Sequence, residues 1–434
     1  MLSGLFQQTI CFPVLIPQCD LYPSLCCGKG LFLCRPGLSG RMTASVCLPD
    51  RKFAESEFSI RLMKTVMVVF GTRPEAIKMC PLVNELKTRQ GIRTIVCVTG
   101  QHRQMLDSVL EIFDVKPDYD LSVMKPEQTL FDITEGIMSA FRPVLEAEKP
   151  DVVLVHGDTS SAFAAALTCF YLQIPVGHVE AGLRTYNISS PYPEEFNRQA
   201  VGIVSRYNFA PTRRAAENLI REGKNPESIF VTGNTVIDAM RYTVKENYTH
   251  PELEWVGDRK LIFITAHRRE NLGAPMHHMF RAIRSVLDEH PECRAVYPIH
   301  MNPSVRKVAA EELENCDSIH LIEPVDVLDC HNFEARCHLC LTDSGGIQEE
   351  CPAFGRPVLV MRDTTERPEG VESGVLRLVG TGEEEIRRNF KELLENQAAY
   401  DAMAHACNPY GDGFAARRIA DILETGKYDP WTAC

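Results

Sequence analysis

The sequence predicts an α/β protein of two Rossmann-like domains that face each other across a cleft. Three observations carry this expectation. From Met63 onward, apolar strand-like runs alternate with helix-like patterns; the alternation starts afresh beyond residues 232–256; and nearly every polar motif falls where a strand-like run ends. Strands that are apolar throughout need cover on both faces, which a parallel sheet with crossover helices supplies. Ligands of such open sheets bind beyond the carboxyl ends of the strands.

The elements follow in order. Residues 1–62 mix Pro, Cys, Gly and Leu without sustained periodicity. They lack the basic start and uninterrupted apolar stretch of a secretory signal. They read as a disordered extension or a start-site artefact, with a targeting peptide as the weaker alternative. TVMVVFG then precedes a Pro-initiated helix, PEAIKMCPLVNELKTR. TIVCVTG leads into HRQMLDSVLEIF, and DVVLVHGD into TSSAFAAALTCFYL, with IPVGHVEAG, YNFAPT and SIFVTGN completing a first domain over 63–235. KLIFITAHR, RAVYPIH, IHLIEP, LCLTDSGG and PVLVMRD supply a second over 236–410. GFAARRIADILETG, within 411–434, reads as a terminal helix able to pack back on the first domain.

At 434 residues the chain has room for two such cores. Its 44% hydrophobic and 24% charged residues are those of an ordinary globular protein. No apolar run after Met63 is long enough to span a bilayer. A formal net charge of -12 argues against a general nucleic-acid binder, which must displace phosphate counterions, yet leaves room for one nucleotide held by local donors. Six of the 17 cysteines precede position 48, and most others sit in apolar runs as small hydrophobes, which suits a cytoplasmic protein. Cys330, Cys337, His338 and Cys340 have a C-x6-C-H-x-C spacing without a second paired knuckle, so they read as core thiols and no metal site is assigned.

Four motifs could carry chemistry. In GTRPEAIKMCPL, Gly71 lets the strand turn, Pro74 suits a first helical turn, and Arg73 lies at a helix N-terminus with Lys78 one turn on. In HGDTSSA, Asp158 is either a helix cap or a functional carboxylate. GHVEAGLRT and YPEEFNRQ tilt the balance by adding Glu180, Arg184, Glu194, Glu195 and Arg198 at loop ends, enough for an acid–base site. TAHRRENLG sets His267, Arg268 and Arg269 at a strand end, which favours an anionic ligand. LTDSGGIQEE turns a strand into a helix at Ser344, Gly345 and Gly346, whose N–H groups can receive phosphate. Glu350 can accept from ribose hydroxyls, and Arg367 and Glu369 follow the next strand.

In order and spacing, GTRPEAIKMCPL, TGQHRQML, HGDT, HVEAGLRT, PEEFNR, HRREN, H-x-NP and TDSGGIQEE resemble the bacterial non-hydrolysing UDP-N-acetylglucosamine 2-epimerases, over 63–428. The resemblance implies a glycosyltransferase-B-like fold, UDP-N-acetylglucosamine (UDP-GlcNAc) as substrate, a homodimer, and no cofactor. It implies that Arg73, His267, Ser344, Gly345, Gly346 and Arg367 contact the diphosphate and that Glu350 holds the ribose. Asp158, Glu180 and Glu194 would be the acid–base carboxylates, supported by Lys78 and Arg184, with His267 counted among the catalytic groups for its place at the departing UDP. Gln101, Gln104, Arg268 and His300 match a regulatory region at which the substrate also acts as activator. Two other readings remain open here: a hydrolysing epimerase releasing free sugar, and a glycosyltransferase of the same fold. A nucleotide-sugar sensor fits less well, because simple anion binding would be penalised by so many carboxylates.

Overall fold

A computed structural model describes residues 63–100, 103–124 and 128–433, with the backbone alone at 103–105 and in three short strands between residues 32 and 60. The chain divides into two compact units, Met1–Leu62 and Met63–Cys434. In the first, β1 (Phe32–Pro36), β2 (Met42–Val46) and β3 (Ser59–Ile60) pair antiparallel in the order β1-β2-β3, where periodicity marks no strand. The rest of that unit lies outside the described residues, and with it most of the segment expected as an extension.

The second unit holds two parallel sheets. One contains β4 (Lys64–Phe70), β5 (Ile92–Val98), β6 (Tyr119–Asp120), β7 (Val152–His156), β8 (Val176–Val179), β9 (Tyr207–Ala210) and β10 (Ile229–Val231), in the order β10-β9-β8-β7-β4-β5-β6. The other contains β11 (Lys260–Thr265), β12 (Cys293–Pro298), β13 (Ile319–Ile322), β14 (Leu339–Thr342), β15 (Val358–Val360) and β16 (Leu376–Leu378), in the order β13-β12-β11-β14-β15-β16. The α/β architecture read from the sequence is the one observed. In each half the chain runs outward from a central strand, returns, and continues on that strand's other side. The order therefore reverses between β4 and β7 in the first sheet, and between β11 and β14 in the second. A crevice opens at such a switch point because the two flanking connections leave in opposite directions.

Alternation along the strands explains the two-sided cover. On β4, Val66, Val68 and Phe70 enter one buried cluster while Met67 and Val69 enter another. On β11, Ile262 and Ile264 face one layer, Leu261 and Phe263 the other. Full burial of each such side chain contributes about 1.5–3 kcal/mol. Cys337, Cys340 and Cys351 are buried within the second of these layers. A helix at Leu130–Glu148, which the reading of the strands leaves unassigned, starts with a Thr129–Asp132 capping box and buries Ile137, Phe141 and Leu145 at four-residue spacing.

The terminal helix Ala415–Thr425 inserts Ile419, Ile422 and Leu423 into the core of the first half. Its first turn is held by Asp238 of helix Thr235–Thr243, whose carboxylate accepts from Ala415 N (3.2 Å) and Ala416 N (2.9 Å). Burial pushes this carboxyl up to about 7 even against those two donors. Among the described residues no helix is long and apolar enough to cross a membrane.

Candidate active site

The first half brings its polar residues to the β4/β7 switch point. Gly71 has a reason different from the sharp turn expected of it: a Cβ there would lie 1.9 Å from Thr99 Oγ1, so the neighbouring strand end requires a bare backbone. Thr72 caps helix Arg73–Lys87, and Glu75 closes the box, accepting from Gly71 N (3.0 Å), Thr72 N (2.8 Å) and Thr159 Oγ1 (2.7 Å). Thr159, rather than Asp158, is the N-cap of the next helix, Ser160–Tyr171. That frees the Asp158 side chain, which pairs with Arg198, while its carbonyl accepts from Asn197 Nδ2 at 2.9 Å.

Glu180 follows β8 with φ of 63°, a left-handed conformation uncommon outside glycine. Lys78 pairs with its Oε2, which also lies 3.3 Å from His156 Nε2 and 3.2 Å from Asn234 Nδ2. Burial works to raise Glu180, but Lys78 and then His156 hold it well below the ordinary carboxylate range. The adjacent glutamates of PEEFNR separate in role. Glu195 is fully buried and fastens a loop by accepting from Thr185 N and Tyr186 N, each at 3.0 Å. Glu194, at the first turn of helix Glu194–Val204, is half-buried, and its side chain makes no hydrogen bond or ion pair among the described residues. Arg184 is engaged bidentately by Glu222 (2.7 and 2.9 Å) rather than by any of the three expected carboxylates.

The second half builds the facing wall at the β11/β14 switch point. Asp343, which has no exposed surface, accepts from His267 N (3.0 Å), Arg268 N (2.9 Å) and Asn271 Nδ2 (3.0 Å), fixing the loop after β11. The rings of His267 and His300 stack at 5.3 Å, and burial lowers the His267 imidazole, against the pull of Asp343. Ser344 N donates to Thr342 Oγ1 at 2.9 Å, whereas Gly345 N and Gly346 N find no acceptor among the described residues. Glu350 is held below its ordinary range, despite burial, by His331 at 3.7 Å. Its neighbour Glu334 is pushed well up by burial and then by Glu350.

The halves meet at these residues. Arg73 reaches from the first half to Val325 O at 3.3 Å. Asn234 Nδ2 donates to Glu180 and also to Glu349 Oε2, at 2.8 Å, and Lys78 Nζ lies 3.9 Å from that same Glu349 oxygen. Arg367 donates to Glu349 Oε1 at 2.9 Å and pairs with Glu366 at 3.1 Å. Burial opposes ionisation of Glu366, yet Arg367, Arg362 and Arg268 bring it down to about 2. Beside them lies a cavity of 560 Å³ lined by Arg184, Arg198 and Arg214 from one half and Arg268, Arg362 and Arg367 from the other. All six guanidinium groups are already paired with carboxylates, and Glu270, Glu366 and Glu369 share the lining, so a polyanion bound here would compete for those pairs.

Motif reading thus reached Lys78, Asp158, Glu180, His267, Ser344, Gly345, Gly346, Glu350 and Arg367 at the two switch points, with Arg73 between the halves, Arg184 and Arg268 on the cavity wall, and Glu194 on the first turn of its helix without a contact to the others. Of the regulatory set, Arg268 and His300 adjoin His267. Gln101, and the side chain of Gln104, lie outside the described residues. Asp343, Glu349 and Asn234 were missed, and His156 stands in HGDTSSA without a role assigned to it; the first two stand inside TDSGGIQEE, where buried acids flanking a Gly-Gly turn were the available signal.

Two parallel α/β halves with basic and acidic groups converging at facing switch points define an enzyme of the glycosyltransferase-B-like, nucleotide-sugar class. The sequence profile of the UDP-N-acetylglucosamine 2-epimerase family matches residues 84–424. The chain is 56% identical to the UDP-N-acetylglucosamine 2-epimerase of Bacillus subtilis over 358 residues, covering 82% of this chain and 94% of that one. Among solved structures, it resembles a UDP-N-acetylglucosamine 2-epimerase at 52% identity and a TM-score of 0.80, covering 86% of this chain and 100% of the other. The Neisseria meningitidis UDP-GlcNAc 2-epimerase bound to UDP-GlcNAc is similar at 46% identity and a TM-score of 0.76, covering 83% of this chain and 99% of that one. The chain belongs to the UDP-N-acetylglucosamine 2-epimerase family.

Proposed function

We propose that the protein interconverts UDP-GlcNAc and UDP-N-acetylmannosamine by eliminating UDP to a 2-acetamidoglucal and adding it back after protonation on the other face. The observation that carries the proposal is Glu180, a carboxylate kept ionised by Lys78 and His156, linked through Asn234 to the half that carries Arg367. The C2 proton of the sugar is not acidic by itself. As the C1–O bond to UDP breaks, C1 gains oxocarbenium character and C2–H becomes acidic. Inversion then needs proton carriers on both faces, for which Asp158, Glu180 and Glu194 are the available carboxylates. Charge on the departing diphosphate would be met by Arg73, His267, Arg367 and the N–H groups of Ser344–Gly346, with Glu350 at the ribose. No cofactor is required in this scheme, and the product would feed surface polysaccharides.

The non-hydrolysing branch is the reading adopted, supported by the match of Gln101, Gln104 and His300 to the regulatory pattern. On this reading a second UDP-GlcNAc activates the enzyme through Gln101, Gln104, Arg268 and His300, so rate should rise sigmoidally with substrate. A homodimer is supported by the apolar outer face of helices Leu130–Glu148, Ser160–Tyr171 and Glu194–Val204, where Phe131 is 86% and Ile203 75% exposed. The deciding experiment incubates the protein with UDP-GlcNAc in D2O and follows it by proton NMR. UDP-N-acetylmannosamine deuterated at C2, without free sugar, is expected. Free N-acetylmannosamine with UDP would reassign the protein to the hydrolysing branch, and unchanged substrate would point to a transferase or a nucleotide-sugar sensor.

A further inference from the structure

We infer that Glu349 takes up a proton when a diphosphate binds at Arg367, and by doing so leaves Glu180 ionised for proton transfer at C2. The inference rests on the epimerase reading above and adds to it a positioning residue that touches no reacting atom.

The argument begins with shared partners. Glu349 and Glu180 come from opposite halves, are both nearly devoid of solvent contact, and draw on the same donors. Asn234 Nδ2 serves Glu349 at 2.8 Å and Glu180 at 3.2 Å; Lys78 pairs with Glu180 and stands 3.9 Å from Glu349. Beyond these the two differ. Glu180 has His156 at 3.3 Å, whereas Arg367 donates directly to Glu349 at 2.9 Å and acts on Glu180 only through space. The other groups facing Glu349 are Glu350 on its own helix and Tyr410 from the terminal segment, neither of which supplies a cation.

Two carboxylates in one low-dielectric site repel, and the one with less cationic support neutralises first. Without ligand, Arg367 gives Glu349 that support. A diphosphate arriving at Arg367 competes for the guanidinium and adds negative charge of its own. Glu180 keeps its direct pair with Lys78, which stands 3.9 Å from Glu349, so the balance shifts against Glu349. A proton from water then moves onto a Glu349 oxygen and returns to water when UDP leaves. Burial already pushes Glu349 upward, before Arg367 and Lys78 pull it back, and Glu180 and Glu350 push the same way as burial. Neutral Glu349 also ceases to repel Glu180, which stays anionic while the ligand's charge is next to it.

The test is calorimetric titration of the full chain with UDP between about pH 7.5 and 8.5. The terminal phosphate, with a second pKa near 6, is then already ionised. Repeating each titration in two buffers of different ionisation enthalpy counts the protons per UDP bound, so only folded, binding-competent protein is read. The wild type should take up as much as one proton per UDP, its affinity falling by up to about tenfold per pH unit. Glu349→Gln should bind UDP without proton uptake and with affinity independent of pH in that window, and Glu349→Asp should recover the uptake. Equal uptake in wild type and Glu349→Gln would overturn the inference. Should Glu349→Gln bind no UDP, Glu349→Asp decides, since a retained carboxylate without uptake overturns it equally. A wild type that epimerises but takes up no proton removes this inference alone. A wild type that binds no UDP removes the epimerase reading beneath it.

Discussion

Removing Asp343 tests whether the second wall of the site is held by one buried carboxylate. Three donors converge on it, His267 N at 3.0 Å, Arg268 N at 2.9 Å and Asn271 Nδ2 at 3.0 Å. Hydrogen bonds to a charged acceptor contribute about 1.5–3 kcal/mol each, so three amount to roughly 4–9 kcal/mol gross. Part is offset because Asp343→Ala no longer keeps a carboxylate away from water. A net loss of about 3–5 kcal/mol is expected, large against the ~5–15 kcal/mol that stabilises a typical domain. If that loss falls on the 267–271 loop, kcat/KM for UDP-GlcNAc should drop by about a hundredfold to a few thousandfold, at about 1.4 kcal/mol per tenfold. Asp343→Asn keeps one accepting oxygen but turns an N–H donor towards other donors, and should lie between. Urea unfolding gives the stability, and turnover by NMR gives the rate. If Asp343→Ala unfolded within about 1 kcal/mol of wild type and turned over within a few-fold, other contacts would have to set the His267 loop.

Amide replacement of Asp158, Glu180 and Glu194 should slow net epimerisation. Comparing C2 deuterium exchange from each sugar should separate the group that removes the proton from the one that returns it; three fully active variants would end the carboxylate scheme. Asp238, with a folded value of about 7 against about 3.9 unfolded, keeps a proton that the unfolded chain has released between those values. Stability should therefore fall as pH rises from about 4 to about 7, by up to a few kcal/mol, and level off above; urea midpoints of Asp238→Asn should lack that slope. Placing Glu at both Phe131 and Ile203 should convert a dimer to monomers in sedimentation, and an unaltered mass would move the interface elsewhere.

What the sequence determined by itself was whatever is local or periodic. Apolar runs bounded by Gly, Pro and polar clusters marked the principal strands of both sheets, because a strand covered on both faces has no polar side to confuse the pattern. The motifs at their carboxyl ends marked the site, since a parallel sheet gathers those ends together. The helix Leu130–Glu148 was passed over although its four-residue stripe of Ile137, Phe141 and Leu145 is itself periodic. What required the tertiary structure was every choice between chemically equal neighbours. Glu194 and Glu195 are adjacent and identical in type, yet only Glu195 is spent on fastening a backbone. Thr159 rather than Asp158 caps its helix, leaving Asp158 for Arg198. Gly71 is needed for the closeness of Thr99, a residue on a different strand end. Glu349 and Asn234 were invisible as site residues because their partners, Arg367, Lys78 and Glu180, lie far off in sequence and meet them only when the two halves face each other. Burial and long-range pairing decide the roles of such groups, and neither is encoded in the spacing of residues along the chain.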